Sequence, residues 1–456
     1  MTEERGVRNQ TLLPVYWVPI IERRMIMKKL LSLVLSFALV CTLISGCGPK
    51  GGGGNSSNQP LDAAETTFGL TPLPERTTLT IGFFSGSAHS MPWYIADRMG
   101  FFDELNIDVE YESFIGGPAM MEASASWDIC DVGAPGILNG MKNYDIQMLG
   151  LCDNEYNTAL FVRPDSPQAA DPTNPEVWKG IECILPTGTT LQYMFLSYLQ
   201  SLGLSADDVT ITNMDVTPAL TAFNAGEGDA LCVWNAVAYN AEDSGLVRIT
   251  DVSELGINNV CGLAATKDAM ENKSDLIDLA WMVYYLTWDW CQQSEDNMAQ
   301  AVELYVESCE DEGVVSNESI CQRALDIFAC PSPSEAVSVM TTEEEDRLSL
   351  ADRPLLAAEN DLLETMDFFI SIGSYTEEDR TAILDKELVN SSWRSGAPRR
   401  LKRWAIWNNQ LHICATRGCI VVPLRHAVQP PCLPNGGETC CKGEVICKML
   451  PARAGS

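Results

Sequence analysis

The chain carries few side chains of the kinds that perform catalysis or bind metals. His89 is the only histidine outside a C-terminal tail of different composition. A nucleophilic triad needs a histidine beside a serine or cysteine, and a metal site needs several ligands together. One histidine satisfies neither requirement, so we expect no catalytic residues, no metal and no cofactor. His89 then has either a ligand contact or a structural role.

The cysteines of the core follow no metal-binding or redox pattern. Nine of them are scattered through apolar segments, with no CxxC pair among them. We expect most to be small buried apolar side chains. Cys321 with Cys330 is a possible disulfide, and because nine is odd, at least one thiol stays free. The nine are Cys130, Cys152, Cys183, Cys232, Cys261, Cys291, Cys309, Cys321 and Cys330.

Two polar loops that precede helical segments are the first candidates for a binding site. One reads SGSAHS and leads into Met-Pro-Trp, and the other reads PTGTT. Free backbone amides at a helix start favour an anionic or strongly polar group, so two such loops facing each other could hold a small anion without arginine. Alternatively, both are simply well-capped helix starts. The candidate contacts are Ser85, Ser87, His89, Ser90, Trp93, Thr187, Gly188, Thr189 and Thr190.

Further candidates follow from their positions at the ends of predicted strands. An aromatic ring at such a position, such as Trp234, can stack on a flat ligand or cover an alkyl chain, unless it is plain core packing. Asp131 and Asp229 fall inside strands and are interpreted as structural. The candidates of this group are Ala134, Pro135, Asn154, Asn213, Trp234 and Asn235.

The elements that must position these residues alternate between strand and helix from Thr77 to Asp251. TLTIGFF and DICDVGA have strand patterns, whereas TTLQYMFLSYLQSLGL has helical spacing. Such alternation predicts an α/β fold with parallel sheets and right-handed crossovers. Beyond Asp251 one returning strand is expected in NVCGLAATKDAM, and the rest is helical. We predict two lobes around a cleft, with hinge crossings near 161–164 and 250–255, and a helical end that packs on the first lobe.

Charge excludes one class of partner. Residues 48–390 contain 14 Lys and Arg against 57 Asp and Glu. Nucleic acid attracts basic surfaces, so it is an unlikely ligand on charge grounds. Few of the basic residues fall in the predicted loops, which weakens the case for a highly charged anion and leaves room for a heterocycle or a neutral polar molecule.

The N-terminal region has the layout of a secretory signal: Lys28-Lys29, an apolar run to Ile44, then small residues. Ile44-Ser45-Gly46-Cys47 resembles a bacterial lipobox, whose cysteine is lipidated, and the following glycines supply slack. We predict lipidation at Cys47 and a membrane-anchored, extracytoplasmic protein. The expected divisions are 1–24 upstream of the true start, 25–46 signal peptide, 47–76 linker, 77–161 first part of lobe I, 162–252 lobe II, 253–390 rest of lobe I, and 391–456 an anomalous tail.

The tail is basic and holds six cysteines within 34 residues. It is interpreted as an artefact of the gene sequence, with a small disulfide-rich module as the alternative.

Three stretches resemble the ABC-transporter substrate-binding proteins of the nitrate, sulfonate and taurine group, whose superfamily also includes thiamine-pyrimidine binding and synthesis proteins. They are WYIADRMGFFDELNIDVEYESFIGGPAMMEASASWDICDVG, WKGIECILPTGTTLQYMFLSYLQSLGLSADDVTITNM and TPALTAFNAGEGDALCVWNAVAYNA. With ISIGSYTEEDR, the resemblance covers about 77–390. It implies a two-lobe fold of the periplasmic-binding-protein type II kind with a hinged cleft.

The resemblance also implies a function: a monomeric lipoprotein that captures a small solute of the sulfonate, nitrate or taurine class. It would deliver that solute to an ABC permease and its ATPase. One alternative is a binder of a thiamine-precursor-like pyrimidine or other heterocycle. Another is an enzyme of the pyrimidine-synthesis type, but the cysteine run of that branch is missing here. A surface adhesion or scaffold protein is the third alternative.

Overall fold

The structure is a computed structural model that describes residues 66–154, 156–351 and 353–386, together with the backbone of two short strands, Cys419–Val421 and Cys447–Met449. The predicted signal peptide, Cys47 and the linker up to residue 65 lie outside the described residues, as does the tail apart from those two strands. In the described part of the chain, no helix combines the length and apolar character needed to cross a membrane.

The first sheet has five strands in the order β2-β1-β3-β10-β4. Strands β1, β2 and β3 are parallel, and β10 is inserted antiparallel between β3 and β4. In chain order the strands are β1 (Thr77–Phe84), β2 (Ile107–Phe114), β3 (Ile129–Gly133), β4 (Ile146–Asn154) and β10 (Val260–Thr266).

The second sheet has five strands in the order β7-β6-β8-β5-β9. Strand β6 is parallel to β7 and β8, whereas β5 is antiparallel to β8 and β9. The strands are β5 (Thr158–Val162), β6 (Glu182–Leu185), β7 (Thr210–Asn213), β8 (Ala230–Trp234) and β9 (Val247–Asp251). The predicted parallel sheets are therefore wrong in one respect, because each sheet contains one antiparallel strand, β10 in the first sheet and β5 in the second.

Helices connect and cover the strands, and the part built on each sheet is called lobe I or lobe II below. The α-helices are α1 (Met91–Arg98), α2 (Gly117–Glu122), α3 (Ala134–Asn143), α4 (Pro167–Ala170), α5 (Thr190–Ser201), α6 (Val216–Asn224), α7 (Asn235–Asp243), α8 (Lys267–Asn272), α9 (Ser274–Gln292), α10 (Glu295–Asp311), α11 (Glu318–Asp326), α12 (Pro333–Val339), α13 (Ala357–Ser371) and α14 (Glu377–Asp385). Short 3-10 turns are Ala88–Ser90, Asp103–Leu105, Ser124–Ser126, Pro175–Val177 and Ala206–Asp208. Two further strand pairs are minor: β11 (Glu343–Glu344) with β12 (Leu355–Leu356), and β13 (Cys419–Val421) with β14 (Cys447–Met449).

Aromatic side chains of α9 fix the C-terminal helices to lobe I. The indole of Trp281 donates to the Leu149 carbonyl at 3.0 Å, and the Tyr285 hydroxyl donates to the Leu151 carbonyl at 2.6 Å. Both side chains are fully buried, so their polar ends need these partners. Helices α10, α13 and α14 also pack on lobe I, but α11 contacts α7 of lobe II. The helical end therefore touches both lobes rather than the first alone.

The chain passes between the lobes twice, after β4 and after β9. Because β5 pairs with β8 and β9, the first crossing precedes Thr158, and the predicted boundary at 161/162 falls inside a strand of lobe II. The two crossings contact each other, since the Asn154 amide donates to Asn258 Oδ1 at 3.1 Å. They thus form one narrow connection, which is the arrangement expected of a hinge.

All nine core cysteines are free thiols in the structure. Eight are buried, and Cys330 is half-buried, which agrees with the apolar role expected of them. The suggested Cys321–Cys330 pair is absent. Cys321 instead contacts the thiol of Cys309, and Cys183 lies 3.7 Å from Cys232, sulfur to sulfur, on neighbouring strands.

Candidate functional site

A cavity lies between the lobes at the ends of β1, β3 and β8. Its empty volume is about 330 Å³, including space open to solvent. We call it the cleft cavity. Lobe I contributes Phe84, His89, Gly117, Val132, Gly133, Pro135, Gly136 and Cys261, and lobe II contributes Gly188, Thr189, Thr190 and Trp234.

Two long helices begin at the cleft cavity. Helix α3 starts directly after Gly133, and α5 starts directly after Thr189. Gly133, the N-cap residue of α3, has no side chain that could cap the helix. Thr189, the N-cap residue of α5, makes no side-chain cap hydrogen bond, and its hydroxyl donates to the Pro186 carbonyl at 2.7 Å. Helix starts carry partial positive charge, so this arrangement favours an acceptor oxygen or an anion in the cavity.

His89 lines the cavity and rests on a buried carboxylate. Its Nδ1 bonds Asp131 Oδ1, and the Ser90 hydroxyl donates to the same carboxylate at 2.8 and 3.0 Å. Asp131 is fully buried and His89 is 3% exposed. Because Asp131 stands between the other two, this is not a nucleophilic triad, in which histidine lies between serine and carboxylate. The carboxylate orients the imidazole.

Aromatic rings from the two lobes meet at the cavity wall. Phe84 and Trp234 pack edge to face with ring centroids 6.1 Å apart, and Phe84 packs similarly on the His89 ring at 5.7 Å. These rings offer flat apolar surface to a ligand body, beside the polar helix starts.

The lobes approach each other closely at two glycines. A Cβ on Gly133 would lie 2.8 Å from Thr190 Cγ2, and one on Gly188 would lie 3.4 Å from Pro118 Cγ. Each pair joins one lobe to the other. The structure therefore shows the cleft with its rims in contact on the side of the cavity formed by these loops.

The structure brings six of the sequence-predicted residues to the cleft cavity. They are His89, Pro135, Gly188, Thr189, Thr190 and Trp234. Asn235 lies nearby in a second, smaller cavity, where its amide is 3.4 Å from Ser87 Oγ across the lobes.

The other predicted residues have different partners. Trp93 is fully buried and donates to the Ala280 carbonyl at 3.0 Å, because α1 turns this face to the core. Ser85 donates to Glu312 Oε2 at 2.8 Å, and the Ser90 hydroxyl donates to the Asp131 carboxylate. The Asn154 side chain donates to Asn258 where the two crossings between the lobes meet. Asn213 Oδ1 accepts the Thr187 amide at 2.9 Å, which shapes the lobe II loop. Ala134 follows Gly133 at the start of α3 without lining the cavity.

Sequence reasoning missed several lining residues, namely Phe84, Gly117, Val132, Gly133 and Cys261. Phe84 ends a strand just as Trp234 does, so the same rule about strand ends could have found it. Cys261 comes from β10, whose place beside β3 no local pattern reveals. Asp131 was interpreted as structural, and its strand position is as expected, but its carboxylate holds the histidine of the cavity.

Two mixed sheets, two crossings and a cavity between the lobes define the periplasmic-binding-protein fold, and solved structures confirm it. The alkanesulfonate-binding protein SsuA from Xanthomonas axonopodis pv. citri, bound to MOPS, superposes with a TM-score of 0.53 at 16% identity. The superposition covers 66% of this chain and 95% of that one. A ligand-binding component of an ABC-type import system from Staphylococcus aureus, with zinc bound, gives 0.53 at 11% identity, covering 70% and 99%.

The sequence comparisons agree with this fold. Residues 87–297 match the model of the NMT1/THI5 like family. Over 386 residues the chain is 23% identical to a Brachyspira hyodysenteriae (strain ATCC 49526 / WA1) protein named as an ABC transporter periplasmic binding protein. That alignment covers 80% of this chain and 99% of the relative. The expected relationship to ABC-transporter binding proteins is confirmed.

Proposed function

We propose that this protein is the extracytoplasmic solute-binding component of an ABC importer. It captures a small organic solute between its lobes and presents the closed form to a membrane permease and its ATPase. The observation that carries the proposal is the cleft cavity, which both lobes line and which two uncapped helix starts face. The binding-protein relative supports the transport role.

Several finer features belong to the same proposal. Lipidation at Cys47 would hold the protein at the outer face of the membrane, with the glycine-rich segment as its tether. The protein works as a monomer, because each copy carries a complete cavity. It is a binder rather than an enzyme, since His89 and Ser90 both bond Asp131 and therefore do not form a nucleophilic pair.

Thermal unfolding of the full-length protein with a solute panel tests this function. The panel pairs alkyl and aryl sulfonates and carboxylates with their uncharged amides, and adds nitrate, bicarbonate, taurine and pyrimidines. A ligand present at 1,000 times its Kd should stabilise the folded protein by about 4 kcal/mol. The ligand that raises the Tm most should also reduce the radius of gyration, because it closes the lobes.

Three results would contradict the proposal. Protein stripped of bound ligand could show no shift with any compound, which would remove the binding role. Chromatography of the incubated ligand could instead show a new product, which would favour the pyrimidine-synthesis type of enzyme. Thermal shifts without product or change of shape would point to the scaffold alternative.

A further inference from the structure

Every lysine and arginine of the described residues is engaged away from the cleft cavity. All but one form ion pairs with Asp or Glu, and the guanidinium of Arg163 donates to three backbone carbonyls of lobe II. The paired residues are Arg76, Arg98, Lys142, Lys179, Arg248, Lys267, Lys273, Arg323, Arg347, Arg353, Arg380 and Lys386. Among the described residues, an anion in the cavity therefore meets no permanent cationic side chain.

His89 is the cavity-lining side chain that can supply a positive charge. When the imidazole is protonated, it forms a neutral pair with the Asp131 carboxylate. When the imidazole is neutral, the same pair carries one negative charge and repels an anion. Burying an uncompensated charge is costly, so a bound anion favours the protonated form. The helix starts of α3 and α5 attract an anion equally in both states, because their backbone dipoles do not titrate.

The groups packed around His89 do not replace it as the titrating group. The Tyr284 hydroxyl of α9 donates to the His89 carbonyl at 2.6 Å, and burial raises its pKa well above the ordinary value. Burial likewise raises the pKa values of Cys130 on β3 and Cys152 on β4. Of the common side chains, histidine changes charge near neutral pH.

Further charged and titratable groups lie on the neighbouring elements β4, β10, α1, α10 and α11. Asp153 on β4 accepts the Ala329 amide at 2.8 Å. His89 lies in the 3-10 turn Ala88–Ser90. The other groups on helices near that turn are Tyr94, Asp97 and Arg98 on α1, Tyr305, Glu307 and Asp311 on α10, and Glu318, Cys321, Arg323 and Asp326 on α11. Cys261 on β10 lines the cavity with His89.

We propose that the cleft cavity binds a compact organic monoanion together with one proton, which His89 takes up. The acid group lies at the helix starts near His89, and the body lies against Phe84 and Trp234. This assignment rests on the proposed function and adds the charge of the solute and the residue that selects it. Affinity for an anion then falls as the pH rises and His89 loses its proton, whereas affinity for an uncharged analogue does not.

Calorimetric titration of the full-length protein tests the proposal with matched probes. Benzenesulfonate and butane-1-sulfonate stay ionised between pH 5.5 and 8.5, and their sulfonamides stay uncharged, so the probes do not titrate. Benzoate and benzamide form a third pair. We expect the anions to bind roughly tenfold more weakly for each pH unit above the titration of His89. Repeating the titration in buffers of different ionisation enthalpy should show uptake of up to one proton for each anion bound.

Three variants separate a titrating contact from a structural role. His89→Gln keeps a donor for Asp131 but cannot become charged, so anion binding should be weak and independent of pH. Ser90→Ala is the matched control, because it removes the other donor to Asp131 and should leave the pH slope intact. Asp131→Asn should move the profile to lower pH without removing its slope, since the imidazolium loses its partner. If that variant fails to fold, the other two still decide the question.

The outcomes are distinct for the two proposals. Anion binding that is constant between pH 5.5 and 8.5, binding of the uncharged members alone, or an unchanged slope in His89→Gln each overturn the proton-linked site and leave the solute-binding function standing. If no member of any pair binds, and no other solute of the panel shifts the Tm, both proposals fail.

Discussion

Trp234 is the largest side chain that lobe II contributes to the cleft cavity. It ends β8 opposite Thr158 of β5, and the residue is 6% exposed. Such a ring covers a ligand body and also contacts Phe84 of lobe I, so it serves binding and closure together. Large aromatic side chains in desolvated pockets commonly carry much of a binding energy.

Trp234→Ala should therefore weaken the tightest ligand by about 2 kcal/mol, roughly thirtyfold, in calorimetric titration. Trp234→Phe should recover most of the affinity, because it restores the flat apolar surface. Trp178→Phe is the control, since that tryptophan is fully buried in lobe II and donates to the Pro172 carbonyl at 2.8 Å. It should lower the Tm without changing the affinity of folded protein, and equal affinity of Trp234→Ala and wild type would exclude the ring from the site.

Single residues could be predicted from sequence where their role follows from local position. Trp234 and Thr190 were found because strand ends and helix starts are visible in the pattern. Asn235 was proposed as a ligand contact for the same reason and stays a prediction; its φ is +49°, a conformation that asparagine tolerates better than most residues. The bond between His89 and Asp131 joins residues 42 positions apart, and no spacing rule predicts it.

The loops that precede helices α3 and α5 contact each other at the rim of the cavity. This contact is possible because Gly133, just before α3, has no side chain. Gly133 has φ −63° and ψ 155°, which any residue can adopt, so backbone freedom is not its reason. The reason is space, because Thr190 Cγ2 of the other lobe occupies the position next to an added Cβ. Closure of the two lobes at this rim therefore depends on the contact between Gly133 and Thr190.

Gly133→Ala should hold the rims apart and lower ligand affinity about tenfold, while the Tm of ligand-free protein changes little. Thr190→Ser removes the opposing methyl group, so the double variant Gly133→Ala/Thr190→Ser should bind more tightly than the Gly133→Ala variant. A double-mutant cycle of Kd values measures this coupling. Additive effects of the two changes would show that the rims do not close through this pair.

Element types were predictable because their hydrophobic periods are local, whereas element partners were not. TTLQYMFLSYLQSLGL became α5, and DALCVW became β8, as their patterns indicate. The first part of lobe I was expected to reach residue 161, yet β5 (Thr158–Val162) pairs antiparallel with β8 and β9 of lobe II. The choice between two sheets is made by long-range packing, which a strand pattern does not encode.

In the described part of the chain, two crossings join the lobes, and the strand order makes the folding of lobe I depend on segments that lie on both sides of lobe II in the sequence. All five strands of lobe II lie in one continuous stretch, from Thr158 to Asp251. Lobe I is interrupted by that stretch, because β10 enters its sheet between β3 and β4 only after lobe II has been traversed. Its pair Val132 and Gly262 is separated by 130 positions.

The insertion of β10 between β3 and β4 affects the order in which the two sheets fold. Contacts between distant segments form late, since a long loop must close before they contribute. On refolding from denaturant, pulsed hydrogen exchange should therefore find the amides of β6 and β8 protected before those of β4 and β10. Simultaneous protection of both sheets would contradict this order. As the chain folds, lobe II can form while lobe I still lacks its central strand, and until β10 pairs, the neighbouring edges of β3 and β4 stay open to aggregation.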